Sequence, residues 1–326
     1  MSCLLPILAV LGGLAVLIWS SDRFVDGAAG TARYFKISPL IIGMVIVGFG
    51  TSAPELVVSV FSALNGSPSL ALGNAYGSNI ANIALILGIT ALVKPILVRS
   101  TILKRELPLL VLVTVVVFWL ARDLFFSRVE GVLHLLLFAV VMGGTVWFSI
   151  RHPDDAMVEE MEASLAENQV VLSRALGQLF LGLVLLMGSS RVLVWGAVDL
   201  ATLAGVSELI IGLTVVAIGT SLPELASTIA AVRKGEDEMA IGNVVGSNLF
   251  NTLAVVGLAS SIHPVGLEKD IITRDFPVMG LLTLSLFAIG FGLKGRGKIN
   301  RIDGAFLLLV FIGYTTWLVA DTLGWI

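Results

Sequence analysis

Soft and borderline metal ligands are almost missing from this sequence. It holds one cysteine, Cys3, and three histidines, His134, His152 and His263. One cysteine excludes an internal disulfide and any cysteine-based metal site. The histidines lie outside the motifs described below, so a transition-metal centre has no ligands to draw on there. Charge is scarce too: 13% of the 326 residues are Asp, Glu, Lys or Arg, where a soluble domain carries about 25%. No basic tract offers a nucleic-acid surface, and the net charge of -3 says little about partners. There is no His-Glu-x-x-His and no buried aspartate pair, which argues against an intramembrane enzyme. The first hydrophobic stretch has no positive residues ahead of it, since Arg23 follows it, and no clear small-x-small cleavage site. It is expected to be a retained first span instead of a cleaved signal peptide. No lipidation signal of the usual kinds is present.

What the chain has instead is apolar length. Hydrophobic residues make up 57% and the mean hydropathy is +1.00. Continuous runs cover Leu4–Trp19, Leu107–Ala121, Val132–Ile150, Phe276–Phe291 and Ala305–Val319. A helix needs roughly 20 apolar residues to cross a hydrocarbon core of about 30 Å, and the runs do not alternate as barrel strands do. Ten spans are predicted, at 3–21, 38–64, 70–93, 106–121, 130–150, 175–195, 207–232, 239–262, 275–293 and 303–322. Lys and Arg set the orientation. With the N-terminus outside, the cytoplasmic connections hold Arg23, Arg33, Lys36, Lys94, Arg99, Lys104, Arg105, Arg151, Arg174, Arg233, Lys234, Lys294, Arg296, Lys298 and Arg301, which is 15 of the 20 basic residues. Both termini are then expected outside. The hydrophilic stretch 151–174 is acidic, with Asp154, Asp155, Glu159, Glu160, Glu162 and Glu167, and reads as a solvated cytoplasmic linker.

The two halves repeat at an offset of 169. Gly50-Thr51-Ser52-Ala53-Pro54-Glu55 matches Gly219-Thr220-Ser221-Leu222-Pro223-Glu224, Gly73-Asn74 matches Gly242-Asn243, and Gly77-Ser78-Asn79-Ile80-Ala81-Asn82 matches Gly246-Ser247-Asn248-Leu249-Phe250-Asn251. Arg105-Glu106 matches Arg274-Asp275 as helix-start features. Five spans per half is an odd number, so the second half inserts upside down, and equivalent segments meet near the midplane. The expected organisation is a first five-helix half over 1–150, the linker over 151–174 and a second, inverted half over 175–326.

Glu55 and Glu224 fall mid-span, where a charge costs about 2.5–3.5 kcal/mol on insertion scales. No Lys or Arg lies at depth in the motif spans to pair with them. Thr51 lies four residues from Glu55 on one helix face, with Ser52 beside it. Pro54 cannot donate to the Gly50 carbonyl, so carbonyls at Gly48 and Gly50 are expected to open toward a cavity. The same reasoning gives Thr220, Ser221, Glu224 and the carbonyls near Ala217 and Gly219. On the following spans Ser78 shares a face with Asn82, and Ser247 with Asn251. All of these groups offer oxygen, which suits hard cations. Ca2+ takes six to eight oxygens, and two carboxylates neutralise one such ion. Each hydroxyl taken singly also fits a bond back to its own helix carbonyl. Gly73-xxx-Gly77 and Gly242-xxx-Gly246 read as close-packing surfaces.

The duplicated G-T-S-x-P-E and G-S-N-x-x-N elements resemble the α-repeats of the calcium:cation antiporter (CaCA) superfamily, in its sodium/calcium exchanger family, with the bacterial YrbG-like branch nearest in pattern. The likeness covers nearly the whole chain. It implies the all-α sodium/calcium exchanger fold of ten transmembrane helices in two inverted repeats, with four ion sites between spans two, three, seven and eight. By matching position, Glu55 and Glu224 would hold Ca2+ with Thr51 and Thr220. Ser52 with Ser78, and Ser221 with Ser247, would serve monovalent ions, and Asn82 and Asn251 would line the middle. Some members carry Asp where this chain has Asn251, so the cluster has two carboxylates instead of three. The large calcium-sensing domains of animal exchangers are not present between the halves.

The resemblance implies a secondary antiporter exchanging Ca2+ for Na+ across the bacterial inner membrane by alternating access, with a monomer as the transport unit. Membrane lipid and the transported cations are the expected partners, and no cofactor is expected. A Ca2+/H+ antiporter of the same fold, with either glutamate carrying the proton, is the nearest alternative. A cation channel is the alternative from another class. The paired Thr-Ser steps favour Na+, since a proton needs no such cage.

Overall fold

The computed structural model describes residues 3–98, 102–151, 171–206, 215, 217–291 and 297–325. Most of the expected linker, the first part of the expected seventh span, and Arg99, Lys294 and Arg296 lie outside the described residues. The first half comprises α1 (Leu4–Phe35), α2 (Pro39–Ile42), α3 (Gly48–Thr51), α4 (Ala53–Leu64), α5 (Pro68–Ala81), α6 (Gly88–Val93), α7 (Leu107–Leu120) and α8 (Arg128–Arg151). The second comprises α9 (Leu172–Leu203), α10 (Ala217–Thr220), α11 (Leu222–Lys234), α12 (Asp237–Leu249), α13 (Val256–Ile262), α14 (Phe276–Phe291) and α15 (Arg301–Thr322). Among the described residues, seven helical segments are long and apolar enough to cross a membrane, or eight with the bent pair Pro39–Thr51 and Ala53–Leu64. Of the other two expected spans, one is the 14-residue α7, and the described part of the other is α10 with α11.

Local chemistry explains the breaks. Single π-helical turns, which often mark functional sites, occupy Gly43–Val47, Asn82–Leu87, Ile102–Glu106, Phe250–Val255 and Ile271–Asp275. Ser38 caps α2, its hydroxyl accepting from Leu40 N–H at 3.2 Å, with Pro39 at the first helical position. At Ser52 the backbone leaves the helical region (φ -84°, ψ 3°), just ahead of Pro54, and the two segments of the second span meet at 46°. Asn300 caps α15, accepting from Ile302 N–H at 2.7 Å and Asp303 N–H at 3.2 Å while Asp303 accepts from Asn300 N–H at 2.8 Å. Asn300→Ala removes this reciprocal cap and should cost about 1 kcal/mol, read as a lowered thermal transition with cation response unchanged.

Two boundaries differ from expectation. The first span, expected over 3–21, continues to Phe35, and the sixth, expected over 175–195, runs from Leu172 to Leu203; each helix has 32 residues. At 1.5 Å per residue each is about 48 Å long, well beyond the hydrocarbon core. Hydropathy falls where charges begin, but the helix persists because those charges find partners. Lys234 Nζ lies 2.6 Å from Asp26, and Arg33 pairs with Glu236 at 3.3 Å. The two long helices lie against each other through glycine. A Cβ at Gly27 would fall 2.6 Å from Leu179 Cα, and one at Gly182 would fall 2.7 Å from Phe24 Cα.

The interior of the bundle is largely apolar with the polar motif residues buried within it, and the exposed surface of the outer helices is apolar too. The apolar windows of Asp237–Ile262 and Pro68–Val93 are 100% and 78% buried, while those of Leu4–Phe35, Arg128–Ser149, Leu172–Leu203 and Arg301–Thr322 are buried by 28% or less. The helices carrying the Asn motifs therefore form the centre and the uniformly apolar helices form the rim. Two short antiparallel ribbons close the ends. Ile96–Val98 pairs with Gly297–Ile299, and Phe125–Phe126 pairs with Val265–Gly266. Each joins a connection of one half to a connection of the other, and Ile96 and Val265 correspond at the repeat offset.

A Cβ at Gly242 or Gly246 would run into the backbone of Leu40 and Met44, with Met44 N 3.1 Å from the first and Met44 Cα 2.6 Å from the second. Expected packing is thus found for the second half. The segment that would pack on Gly73 and Gly77 by the repeat, 209–213, lies outside the described residues.

Candidate functional site

The break at Ser52 and its mate at Ser221 place the first residues of α4 and α11 at the centre of the bundle. Glu55 and Glu224 sit in the first turns of those helices, with 1% and 2% exposure. Thr51, Ser52, Ser221, Ser78, Ser247, Asn82 and Asn251 are all buried as well, and Thr220 is half-buried. The two halves touch directly here. Ser52 Oγ donates to Glu224 Oε1 at 3.3 Å, Thr51 Oγ1 donates to Asn243 Oδ1 at 3.1 Å, and Asn82 Nδ2 donates to Asn248 Oδ1 at 3.0 Å. Ser247 Oγ reaches the Gly48 carbonyl at 3.5 Å. Of the sequence-predicted groups, Thr51, Ser52, Glu224, Asn82, Ser247 and the Gly48 carbonyl thus take part in contacts between the two repeats.

A set of oxygens there has no donor. Glu55 Oε2, Glu224 Oε2, Asn82 Oδ1, Asn251 Oδ1 and Ser221 Oγ are all buried without a hydrogen-bond partner. Neither carboxylate belongs to an ion pair among the described residues. Buried polar atoms are nearly always satisfied, and a lone buried charge is far costlier than a lone amide. A cluster of orphaned acceptors, two of them carboxylate oxygens, has the chemistry of a dehydrated hard cation's cage.

The backbone contribution differs from expectation. Pro54 removes the donor to Gly50, but Gly48 is not freed. Its carbonyl accepts from Ser52 N–H at 3.0 Å and keeps only its second lone pair. In the second half Ser221 N–H turns to Ile218 O at 3.1 Å instead of to Ala217. There the Gly219 carbonyl, released by Pro223, accepts from Ser190 Oγ at 3.1 Å. The backbone at the two breaks is otherwise alike, with φ -84° and ψ 3° at Ser52 and φ -89° and ψ 5° at Ser221.

Several contributing residues were not singled out from sequence. Asn243 donates to Thr228 Oγ1 at 2.9 Å, Ser227 Oγ at 3.1 Å and the Glu224 carbonyl at 3.4 Å while it accepts from Thr51. Asn79 donates to Thr252 Oγ1 at 2.7 Å, and Asn248 holds the Asn82 amide so that its oxygen is left bare. The signal for them was the duplication itself. Asn74, Asn79, Asn243 and Asn248 repeat as faithfully as the glutamates.

Comparison with known proteins follows the same residues. The family model described as sodium/calcium exchanger protein matches residues 5–147 and again 174–320. The chain is 48% identical over 308 residues to the putative antiporter CaxA of Alkalimonas amylolytica, covering 94% of this chain and 96% of that protein. It is 40% identical over 325 residues to the inner membrane protein YrbG of Escherichia coli, covering 97% and 98%. Among solved structures, the sodium-calcium exchanger NCX_Mj soaked with zero Na+ and Ca2+ superposes with a TM-score of 0.83 at 30% identity, covering 97% of this chain and all of that one.

Proposed function

The chain belongs to the sodium/calcium exchanger family of cation antiporters, and from that premise we propose that it exchanges Ca2+ for Na+ by alternating access at the Glu55–Glu224 cluster. The observation that carries this reading is the set of orphaned oxygens from both halves around two unpaired carboxylates. Ca2+ is held by Glu55 and Glu224 with Thr51, Thr220 and the carbonyls of Gly48 and Ala217. Na+ is held by Ser52 with Ser78 and by Ser221 with Ser247, and Asn82 and Asn251 line the middle. The solved relative is described as a sodium-calcium exchanger, which supports the choice of ions.

Coupling follows from the charge. An empty occluded cluster would bury two carboxylates with no counter-ion, a cost of several kcal/mol per ion. Cations neutralise them, so the switch between facing states proceeds with ions aboard and is suppressed without them. That favours exchange over uniport or a continuous pore. The same reading takes the chain as ten spans in two inverted halves, 1–150 and 175–326, around the acidic 151–174 linker. The double match of one family description on 5–147 and 174–320 supports that division. The basic face carrying Lys36, Lys94 and Lys234 is taken as cytoplasmic, with both termini outside and the inner membrane as the site of action. A monomer holds a complete cluster and is taken as the transport unit.

The test is 45Ca2+ uptake into proteoliposomes preloaded with Na+ or K+ at matched pH. Uptake should require internal Na+. Uptake driven by an acid interior and indifferent to Na+ would replace this reading with Ca2+/H+ exchange and make the Thr-Ser steps structural.

A further inference from the structure

Polar contacts from two sides converge on the turn between α11 and α12. Lys234, the last residue of α11, reaches Asp26 at 2.6 Å and Asp22 at 4.0 Å. Glu236 accepts from Arg33 at 3.3 Å. These pairs tie the turn to the charged end of α1. The connection after α6 grips the same turn from the other side. Lys94 Nζ donates to the Val232 carbonyl at 2.6 Å, and Leu97 N–H donates to Asp237 Oδ2 at 3.0 Å. A lysine at the end of α11 also meets the negative end of the helix dipole. Gly235, in the left-handed region at φ +84°, lets the chain double back inside this clasp.

The hairpin held in this way carries part of the ion cluster. α11 starts at the centre with Glu224 in its first turn, and α12 leads back from the turn to Ser247. The equivalent turn of the first half, between α4 and α5, lacks this chemistry in its sequence. At the repeat offset Lys234 corresponds to Asn65, Glu236 to Ser67 and Asp237 to Pro68. The partners are missing as well, since Arg33 corresponds to Thr202 and Asp26 to Trp195. Lys94 corresponds to His263, whose ring turns to the carbonyl of its own neighbour, Pro264, at 2.9 Å. The cluster residues are duplicated and the clasp is not.

We propose that these contacts form an electrostatic strap, which holds the α11–α12 hairpin against α1 and keeps the face of Lys94 and Lys234 shut at rest. That face opens when the hairpin and α1 part. The opposite face has no such strap in its sequence, so the empty carrier rests with its cluster offered there. The inference rests on the alternating-access reading above, but not on which cations are exchanged. Single ion pairs this exposed are weak. Here Lys234 serves two carboxylates and the turn is gripped from two sides, so the contacts are made and broken together. Because charge sets the strength of the strap, salt loosens it.

Ala29 can read the seam. It is 3% exposed and lies on the same face of α1 as Asp22, Asp26 and Arg33, at helical spacings of three and four. In a Cys3→Ser background, the rate at which a maleimide labels Ala29→Cys, in detergent and without transported ions, reports how often the seam opens. Lys234→Gln and Arg33→Gln should each raise that rate by on the order of threefold, the equilibrium weight of one partly exposed ion pair. Raising salt from about 0.1 M to about 1 M shortens the screening length from about 10 Å to about 3 Å. It should speed labelling in the parent and have little effect in the double variant. Lys234→Arg keeps the charge and should label as the parent does. Ala71→Cys, fully buried in the first turn of α5, should label no faster in any of these proteins. The proposal is overturned if the glutamine variants leave Ala29→Cys unchanged, if they speed Ala71→Cys equally, or if salt acts as strongly on the double variant. Should Ala29→Cys not fold, amide hydrogen exchange of the same variants without it decides. Faster exchange over 232–237 and not over 63–68 supports the strap, and no change or an equal change overturns it. A parent that labels as expected but does not exchange Ca2+ for Na+ would remove the functional reading and leave the strap standing.

Discussion

Glu224→Gln should abolish calcium exchange while leaving a folded protein that no longer responds to calcium. The carboxylate is buried, accepts one bond from Ser52 across the halves, and leaves its second oxygen bare. Glutamine keeps the shape and can still accept from Ser52, but it removes half of the charge that offsets a divalent ion. Removing one partner of a buried charge pair costs about 3–5 kcal/mol, which corresponds to two to three decades of affinity. Exchange in proteoliposomes should therefore fall by roughly a hundredfold or more. The thermal response should separate from activity. In the parent, calcium at about a hundred times its dissociation constant adds about 2.7 kcal/mol, and chelation removes it. In the variant, the cation-free protein should melt no lower than the cation-free parent, because a buried uncompensated charge has gone, and calcium should add nothing. Glu55→Gln should behave alike. Normal exchange in either variant would remove the glutamates from the mechanism.

Gly246→Ala should destabilise the protein and weaken exchange. At Gly246 the added methyl would fall 2.6 Å from Met44 Cα, and its nearest neighbours are all backbone. Backbone cannot rotate aside, so the two central helices must separate. Overpacking of this kind costs about 1–3 kcal/mol, and here it falls on the seam beside the ion cluster. Gly246→Ala should lower the cation-free thermal transition measurably and reduce exchange. An unchanged transition would mean that this seam is not closed in solution.

The membrane class and the duplication were legible because both are one-dimensional. Apolar runs report lipid directly, and an ungapped offset of 169 needs no geometry to detect. The clustering of the glutamates, hydroxyls and asparagines followed from helix periodicity and the odd span count, and the structure brings those side chains together. Helix ends were less legible. Hydropathy stopped the first span near residue 21, but α1 carries Asp22 and Asp26 onward to Phe35 because Lys234 lies in reach of them. That pairing joins residues some two hundred positions apart, and no local pattern encodes it.

The sequence by itself determined that this is a duplicated membrane protein with two mid-span carboxylates amid oxygen donors, since composition, spacing and repetition are properties of the string. Only the tertiary structure decided which groups meet across the halves. Ser52 reaches Glu224, Asn82 reaches Asn248, and Gly246 packs on Met44. These contacts join residues far apart in the chain, so they belong to packing and have no counterpart in the local pattern of residues.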